Sequence, residues 1–162
     1  MKKEKIFLSG VGGMLGEAFY KTFSKKYNLK CTDIDINENW LEYLDFRESE
    51  KYLTLVEKFK PDYLFHIGAY TNLEYCEKNQ NETFNTNTES VKTAVNISNK
   101  LDIPLLYIST AGIFDGLKEY YDENDTPKPM GVYAQSKFDA EKFLLKNSKK
   151  FLICRAGWMM GG

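Results

Sequence analysis

Ile6-Phe7-Leu8-Ser9-Gly10-Val11-Gly12-Gly13-Met14-Leu15-Gly16-Glu17 is the stretch whose reading decides the fold. A short apolar run, Ile6–Leu8, leads into glycines spaced G-x-x-G-x-x-G at Gly10, Gly13 and Gly16, and an amphipathic segment follows as far as Lys26. The order is strand, bare turn, helix start. Such a turn lets main-chain N–H groups at a helix N-terminus face a pyrophosphate with no side chain in the way. Glycine spacing by itself is weak evidence; its place directly after an apolar run gives it weight.

Outward from this turn, strand-like and helix-like stretches alternate. Apolar runs recur at Leu29–Asp33, Tyr63–Ile67, Leu105–Ile108 and Phe151–Cys154, with a weaker one at Leu41–Leu44. Helical patterns occupy about Met14–Lys26, Arg47–Phe59, Thr83–Lys100 and Val132–Asn147. In the second of these, Tyr52, Leu55, Val56 and Phe59 share one face. The alternation predicts an α/β fold: a Rossmann-like, doubly wound parallel sheet of about six strands with helices on both faces. Lys60-Pro61-Asp62 and Asp102-Ile103-Pro104 mark helix-to-strand turns. One long loop, from about Asp115 to Gly131, carries Asp122-Glu123-Asn124-Asp125 and two prolines, and reads equally as a functional excursion or a solvated one.

Composition narrows the function. The chain has 162 residues, 43% hydrophobic and 28% charged, which suits one soluble globular domain. A net charge of −1, with basic and acidic residues interleaved, argues against a nucleic-acid or membrane-surface partner. Cys31, Cys76 and Cys154 are odd in number, far apart and without a C-x-x-C pair. They read as thiols in a reducing, cytoplasmic compartment. The N-terminal lysines imitate a signal peptide poorly, because Ser9, the glycines and Glu17 interrupt the apolar run. His66 is the only histidine and reads as a packed strand residue, so no metal site is expected.

The chemistry-bearing residues fall at strand ends and on one helix. Asp33 lies 17 positions after Gly16, at the end of the second apolar run. A carboxylate there accepts hydrogen bonds from an adenosine ribose and repels a 2′-phosphate, favouring NAD(H) over NADP(H); Asp35 is the near alternative. Asp45, followed by Phe46, could reach an adenine amino group or serve only structure. Tyr133-Ala134-Gln135-Ser136-Lys137 places a phenol and an ammonium four apart on one helix face. A nearby ammonium stabilises a phenolate and lowers its pKa, bringing a tyrosine closer to acid–base chemistry at neutral pH. Thr110 ends the fifth apolar run, where ligands of open parallel sheets bind, with Ser109 as its alternative. Asn87, Trp40 and Trp158 read as packing, with a role near the ligand left open for Asn87 and Trp158.

Gly10–Gly16, Asp33, His66-Ile67-Gly68-Ala69, Asn87, Ser109-Thr110, Tyr133-x-x-x-Lys137 and Arg155-Ala156-Gly157-Trp158 recur in this order. In this the chain resembles the extended short-chain dehydrogenase/reductase superfamily of nucleotide-sugar epimerases, dehydratases and reductases. Within it, Ala69-Tyr70-Thr71 with Glu77 following, Ile113-Phe114-Asp115-Gly116 and Tyr121-x-Glu123-x-Asp125 resemble dTDP-4-dehydrorhamnose reductases. The resemblance implies that Gly10, Gly13, Met14, Leu15 and Gly16 meet the pyrophosphate of NAD(H) or NADP(H). Asp33, Asp45 and Phe46 would then lie at the adenosine end, and Gly68 and Ala69 along the dinucleotide groove. Tyr133 would protonate a sugar C4 carbonyl oxygen that Thr110 polarises, and Lys137 would hold the nicotinamide ribose and tune Tyr133. The partner implied is a nucleotide-sugar substrate, and a homodimer is admitted. An epimerase or dehydratase, or a non-catalytic reductase-like regulatory subunit, is the alternative. Ala111, where these reductases usually carry Asp, and Ala134, where they often carry Gly, depart from the pattern. Family members continue beyond the Arg155–Trp158 segment. The expectation is therefore that residues 1–162 are the NAD(P)-binding Rossmann domain, with the C-terminal substrate lobe absent from this chain.

Overall fold

The computed structural model describes residues 3–159. Six parallel strands form one sheet: β1 (Lys5–Ser9), β2 (Asn28–Asp33), β3 (Leu41–Tyr43), β4 (Tyr63–His66), β5 (Leu105–Thr110) and β6 (Phe151–Ala156), in the order β3-β2-β1-β4-β5-β6. The Rossmann-like expectation is met. The chain winds outward from β1 to β3, then returns to the other side of β1 as β4. The order therefore reverses between β1 and β4, and the crevice beyond their C-terminal ends is where such sheets take ligands. Register places Ser9 opposite His66 on β4 and Thr32 on β2, so the turn after Ser9 emerges at that point.

The helices are α1 (Met14–Phe23), α2 (Ser49–Phe59), α3 (Leu73–Lys78), α4 (Gln80–Phe84), α5 (Ser90–Leu101) and α6 (Val132–Asn147). A π-helical turn, Asn85–Glu89, joins α4 to α5. Sequence periodicity placed one continuous helix over 83–100. The extra residue per turn in the π segment shifts the face that the chain presents, and the pattern of apolar spacing does not register it.

Alternation along each strand sends side chains to two cores. Phe7, Leu64, Leu105 and Tyr107 face α2, α5 and α6, where Tyr52, Val56, Val91, Val95, Ala140 and Leu144 close over them. Ile6, Leu8, Cys31 and Ile67 face the other way, against Leu15, Phe19, Tyr20 and Phe23 of α1. Trp40 stacks on Tyr20 with ring centroids 4.3 Å apart, the packing role expected of it. Helices therefore lie on both faces, but unequally. Only α1 covers the second face, and Leu152 on β6 stands 60% exposed.

Candidate active site

The first turn brings its backbone into the crevice at close quarters. Gly10 has φ +74°, and a Cβ there would stand 2.2 Å from the Gly68 Cα, so β1 and β4 exit against one another only because both residues are bare. Gly16 packs its α-carbon onto the carbonyl of Val11, where a Cβ would intrude to 2.1 Å. Gly13 differs: nothing lies within 4 Å of the space a Cβ would take. It is the N-cap of α1 and offers no capping side chain. The amides of Gly10 and Val11 bond the Thr32 carbonyl, and the Gly12 amide donates to Asp33 Oδ2 at 2.7 Å. Those of Gly13, Met14 and Leu15 have no acceptor among the described residues. Three unclaimed N–H groups at a helix N-terminus, beside open space, suit a phosphate.

These residues line a cleft of about 370 Å³. Gly10, Gly13, Met14, Leu15, Gly16 and Asp33 form one end; Asp45, Phe46, Gly68 and Ala69 continue it; Thr110, Tyr133 and Lys137 line it as well. Every residue expected at the site therefore meets in a single cavity. Arg47, Thr86 and Met159, given no role from the sequence, also line it, as do Tyr70, Thr71, Ala156 and Gly157, noticed only within the resemblance. Arg47 opened the helix expected over 47–59 and stands two residues before its observed start at Ser49. Its signal lay in the Asp45-Phe46-Arg47 spacing, which lets one side chain fold back on the other.

Beside the glycine turn, Asp33 is already engaged. Its Oδ1 accepts from the Asp35 amide at 3.0 Å and its Oδ2 from Gly12. The carboxylate braces the glycine loop and keeps further lone pairs for a ribose hydroxyl. Asp35 contributes main chain at this point, which leaves Asp33 as the acid facing the cleft. Asp45 is gripped by Arg47 in a two-pronged ion pair, with Nη2–Oδ2 at 2.7 Å, which holds its carboxyl below the ordinary range. Arg47 also reaches Glu82 and the Tyr70 phenol.

The other end is built by β5 and α6. Thr110 closes β5 and its hydroxyl accepts from the Gly112 amide at 3.0 Å. The phenol of Tyr133 on α6 lines the same cleft. That helix begins at Val132, whose amide donates to Glu77 Oε1 of α3 at 2.6 Å. A carboxylate from another helix thus caps the turn that carries Tyr133. Asn87 fixes the floor: its side chain accepts from the Tyr70 amide, and donates to the Tyr70 carbonyl and to Ser136 Oγ on α6. Its role is structural.

Lys137 is 2% exposed, with Nζ 4.4 Å from the centre of the Tyr107 ring and no hydrogen-bond acceptor among the described residues. Burial pushes its pKa down to about 7, against an opposing pull from Glu141. Sequence reasoning expected Lys137 to draw the Tyr133 phenol down. The phenol instead stands above its ordinary value, because its own burial outweighs the pull of the Thr110 hydroxyl, which favours the phenolate. Desolvation acts on both groups and favours neutral phenol and neutral amine alike. Ser109 and Thr86 also line the cleft, their hydroxyl oxygens buried behind its wall and without a hydrogen-bond partner among the described residues.

His66 lies just beneath the cleft and takes no part in it. Nδ1 meets Ser9 Oγ at 2.9 Å, Nε2 meets Ser90 Oγ at 3.0 Å, and burial drives its pKa to about 3. The long loop after Phe114 lies away from the cleft and is tied to itself by ion pairs of Lys118 with Asp125 and Lys128 with Asp115.

The family described as RmlD substrate binding domain matches residues 4–162. The chain belongs to this family. It is 27% identical over 158 residues to a dTDP-4-dehydrorhamnose reductase of Aggregatibacter actinomycetemcomitans, covering 97% of this chain and 52% of the relative. It is 25% identical to methionine adenosyltransferase 2 subunit beta of Mus musculus, over 97% of this chain and 47% of that protein. Among solved structures, dTDP-4-dehydrorhamnose reductase of Bacillus anthracis in complex with NADP superposes with a TM-score of 0.88 at 26% identity, over 98% of this chain and 55% of that one. The chain thus spans about half the length of the relatives it matches. The resemblance seen in the sequence stands. The Bacillus anthracis structure holds NADP.

Proposed function

We propose that this chain is the dinucleotide-binding and proton-donating half of a nucleotide-sugar reductase, one that reduces a 4-keto sugar of the dTDP-4-dehydrorhamnose type. The observation that carries this reading is the meeting of Thr110, Tyr133 and Lys137 in the same cleft as a glycine turn with unclaimed amides. The residues fit a nicotinamide dinucleotide. The amides of Gly13, Met14 and Leu15 would take the pyrophosphate, Asp33 the adenosine ribose, and Lys137 the nicotinamide ribose. When bound, the coenzyme supplies hydride.

The chain's own residues supply position and a proton. Thr110 lines the cleft with Tyr133 and would share the substrate carbonyl oxygen with its phenol. Tyr133 is neutral near pH 7, since its pKa is raised, and a neutral phenol is the form that gives a proton to that oxygen. Lys137, buried beside the Tyr107 ring, would then meet the phenolate with a positive charge gained from solvent. NAD(H) is the preferred coenzyme in this proposal, because Asp33 faces the ribose and the cleft's cations are Arg47, bound to Asp45 and Glu82, and Lys137. A sugar-nucleotide lobe would lie outside these 162 residues, in keeping with relatives of about twice the length.

The similarity to methionine adenosyltransferase 2 subunit beta supports a second reading, a reductase-like regulatory subunit. One experiment separates the two. NADH fluorescence is titrated against the chain, and reduction of dTDP-4-keto-6-deoxy sugar is then assayed in a form carrying the substrate lobe. Binding with turnover supports the reductase; binding without turnover supports the regulatory subunit; no binding of either reduced coenzyme overturns both.

A further inference from the structure

One turn along α6 from Lys137 lies a half-buried ion pair that the proposed chemistry does not use. Glu141, one turn further along α6, is fully buried. Its carboxylate is held by Arg155 of β6, with Nε 3.1 Å from Oε1 and 3.2 Å from Oε2, and Nη2 2.8 Å from Oε2. Arg155 is itself fixed, with its guanidinium carbon 5.4 Å from the centre of the Phe114 ring. A buried ion pair is weak evidence for stability alone, since desolvation offsets much of the attraction. Its position is more telling. Residues four apart on a helix are neighbours, so Glu141 adjoins Lys137 on the face turned to the sheet.

The other groups around Lys137 give it no negative charge. From β4, His66 faces it as a neutral imidazole; from β5, Tyr107 presents its ring. From α6 itself come Tyr133 and Glu141, and α3 brings Cys76 up to Tyr133. The π turn and α5 offer the hydroxyls of Thr86 and Ser90. Asp33, Asp45 and Arg47 line the same cleft, but Glu141 is the carboxylate that acts on Lys137.

We infer that Arg155 is a positioning residue for Lys137. By occupying both oxygens of Glu141 from across on β6, it withholds that carboxylate from the lysine ammonium and so sets the charge Lys137 carries at neutral pH. The inference deepens the reductase reading, since the charge on Lys137 matters through that site. Removing Arg155 would free Glu141 to pair with Lys137 and favour the ammonium. Removing the carboxylate would take away the negative charge one turn from Lys137 and favour the neutral amine. The two changes therefore act in opposite directions, which a merely structural ion pair would not produce.

The test is an NMR titration of the chain labelled with ¹³C at lysine Cε, following Lys137 in wild type, Arg155→Met and Glu141→Gln. Arg155→Met is expected to raise the Lys137 midpoint, and Glu141→Gln to lower it, each by about one pH unit. Arg155→Lys, which keeps a cation but loses the fork, is expected to fall between wild type and Arg155→Met; it replaces Arg155→Met if that variant does not fold. Shifts in the same direction, or no measurable movement in either, would overturn the inference. The titration needs neither coenzyme nor turnover. Opposed shifts in a chain whose lobe-bearing form reduces no sugar would sink the reductase reading and leave this one standing.

Discussion

The Gly12 amide donates to Asp33 Oδ2 at 2.7 Å, and a Cβ on Gly12 would stand 2.8 Å from the Asp33 carboxyl carbon. The acid expected to read the ribose is therefore also a brace for the loop that would hold the pyrophosphate. One side chain links the two halves of the proposed dinucleotide site. Asp33→Asn keeps the size but loses the charge. It should weaken NADH binding about tenfold, in line with a lost charge-assisted hydrogen bond, and narrow the preference over NADPH. Parallel fluorescence titrations with the two coenzymes measure this; an unchanged ratio would count against the role given to Asp33.

Gly10 and Gly13 belong to one motif but should fail in different ways. Gly10→Ala puts a Cβ against the Gly68 Cα at a positive φ, and should destabilise the fold by about 2–5 kcal/mol. Gly13→Ala meets no protein atom within 4 Å and has extended backbone, so its melting temperature should match wild type. Its methyl group enters the space where the pyrophosphate would lie, and NADH affinity should drop at least about tenfold. Thermal melts paired with titrations separate the two effects.

Tyr133→Phe removes the proton donor and leaves the ring in place. In a form carrying the substrate lobe, 4-keto sugar reduction should fall by about 10²- to 10⁴-fold, while NADH binding stays within about twofold. Steady-state assays and titrations on the same preparation check both. Full activity in this variant would remove Tyr133 from the chemistry.

Two buried bases make the fold sensitive to acid. Burial lowers the His66 pKa from 6.5 to about 3, so the unfolded chain takes up a proton that the folded chain refuses. The stability this group contributes is fully present above pH 6.5 and is lost as pH falls toward 3, on the order of a few kcal/mol. Lys137, lowered from 10.5 to about 7, acts in the same sense over the higher window, and stability should rise from neutral pH toward 10.5 on its account. Melting temperature against pH should therefore slope upward across pH 3–6.5, and His66→Gln, with no proton to take up there, should flatten that limb.

The parallel sheet could be read from alternation because crossovers between its strands mostly carry a helix, as all but the one between β2 and β3 do here. The limits of α6, Val132–Asn147, matched the reading, although the face it buries sets Ser136, Lys137 and Glu141 beside Ala134, Ala140 and Leu144. The short helix α3 was missed: its six residues are too few for periodicity to show, and its cue was local, the Asn72 side chain accepting from the Tyr75 amide. Glu77 was noticed only as part of a resemblance. That it caps α6 depends on the fold bringing together residues 55 positions apart.

Local chemistry along the chain settled the bare turn, the alternating elements, and the phenol and amine one turn apart, since each arises from residues within a few positions of one another. Only folding decided which charges those groups carry. Lys137 and Tyr133 lose their water to side chains drawn from β4, β5, α3 and β6, and the electrostatic cost of that burial, together with the ion pair that Arg155 makes with Glu141, is a property of the assembled interior.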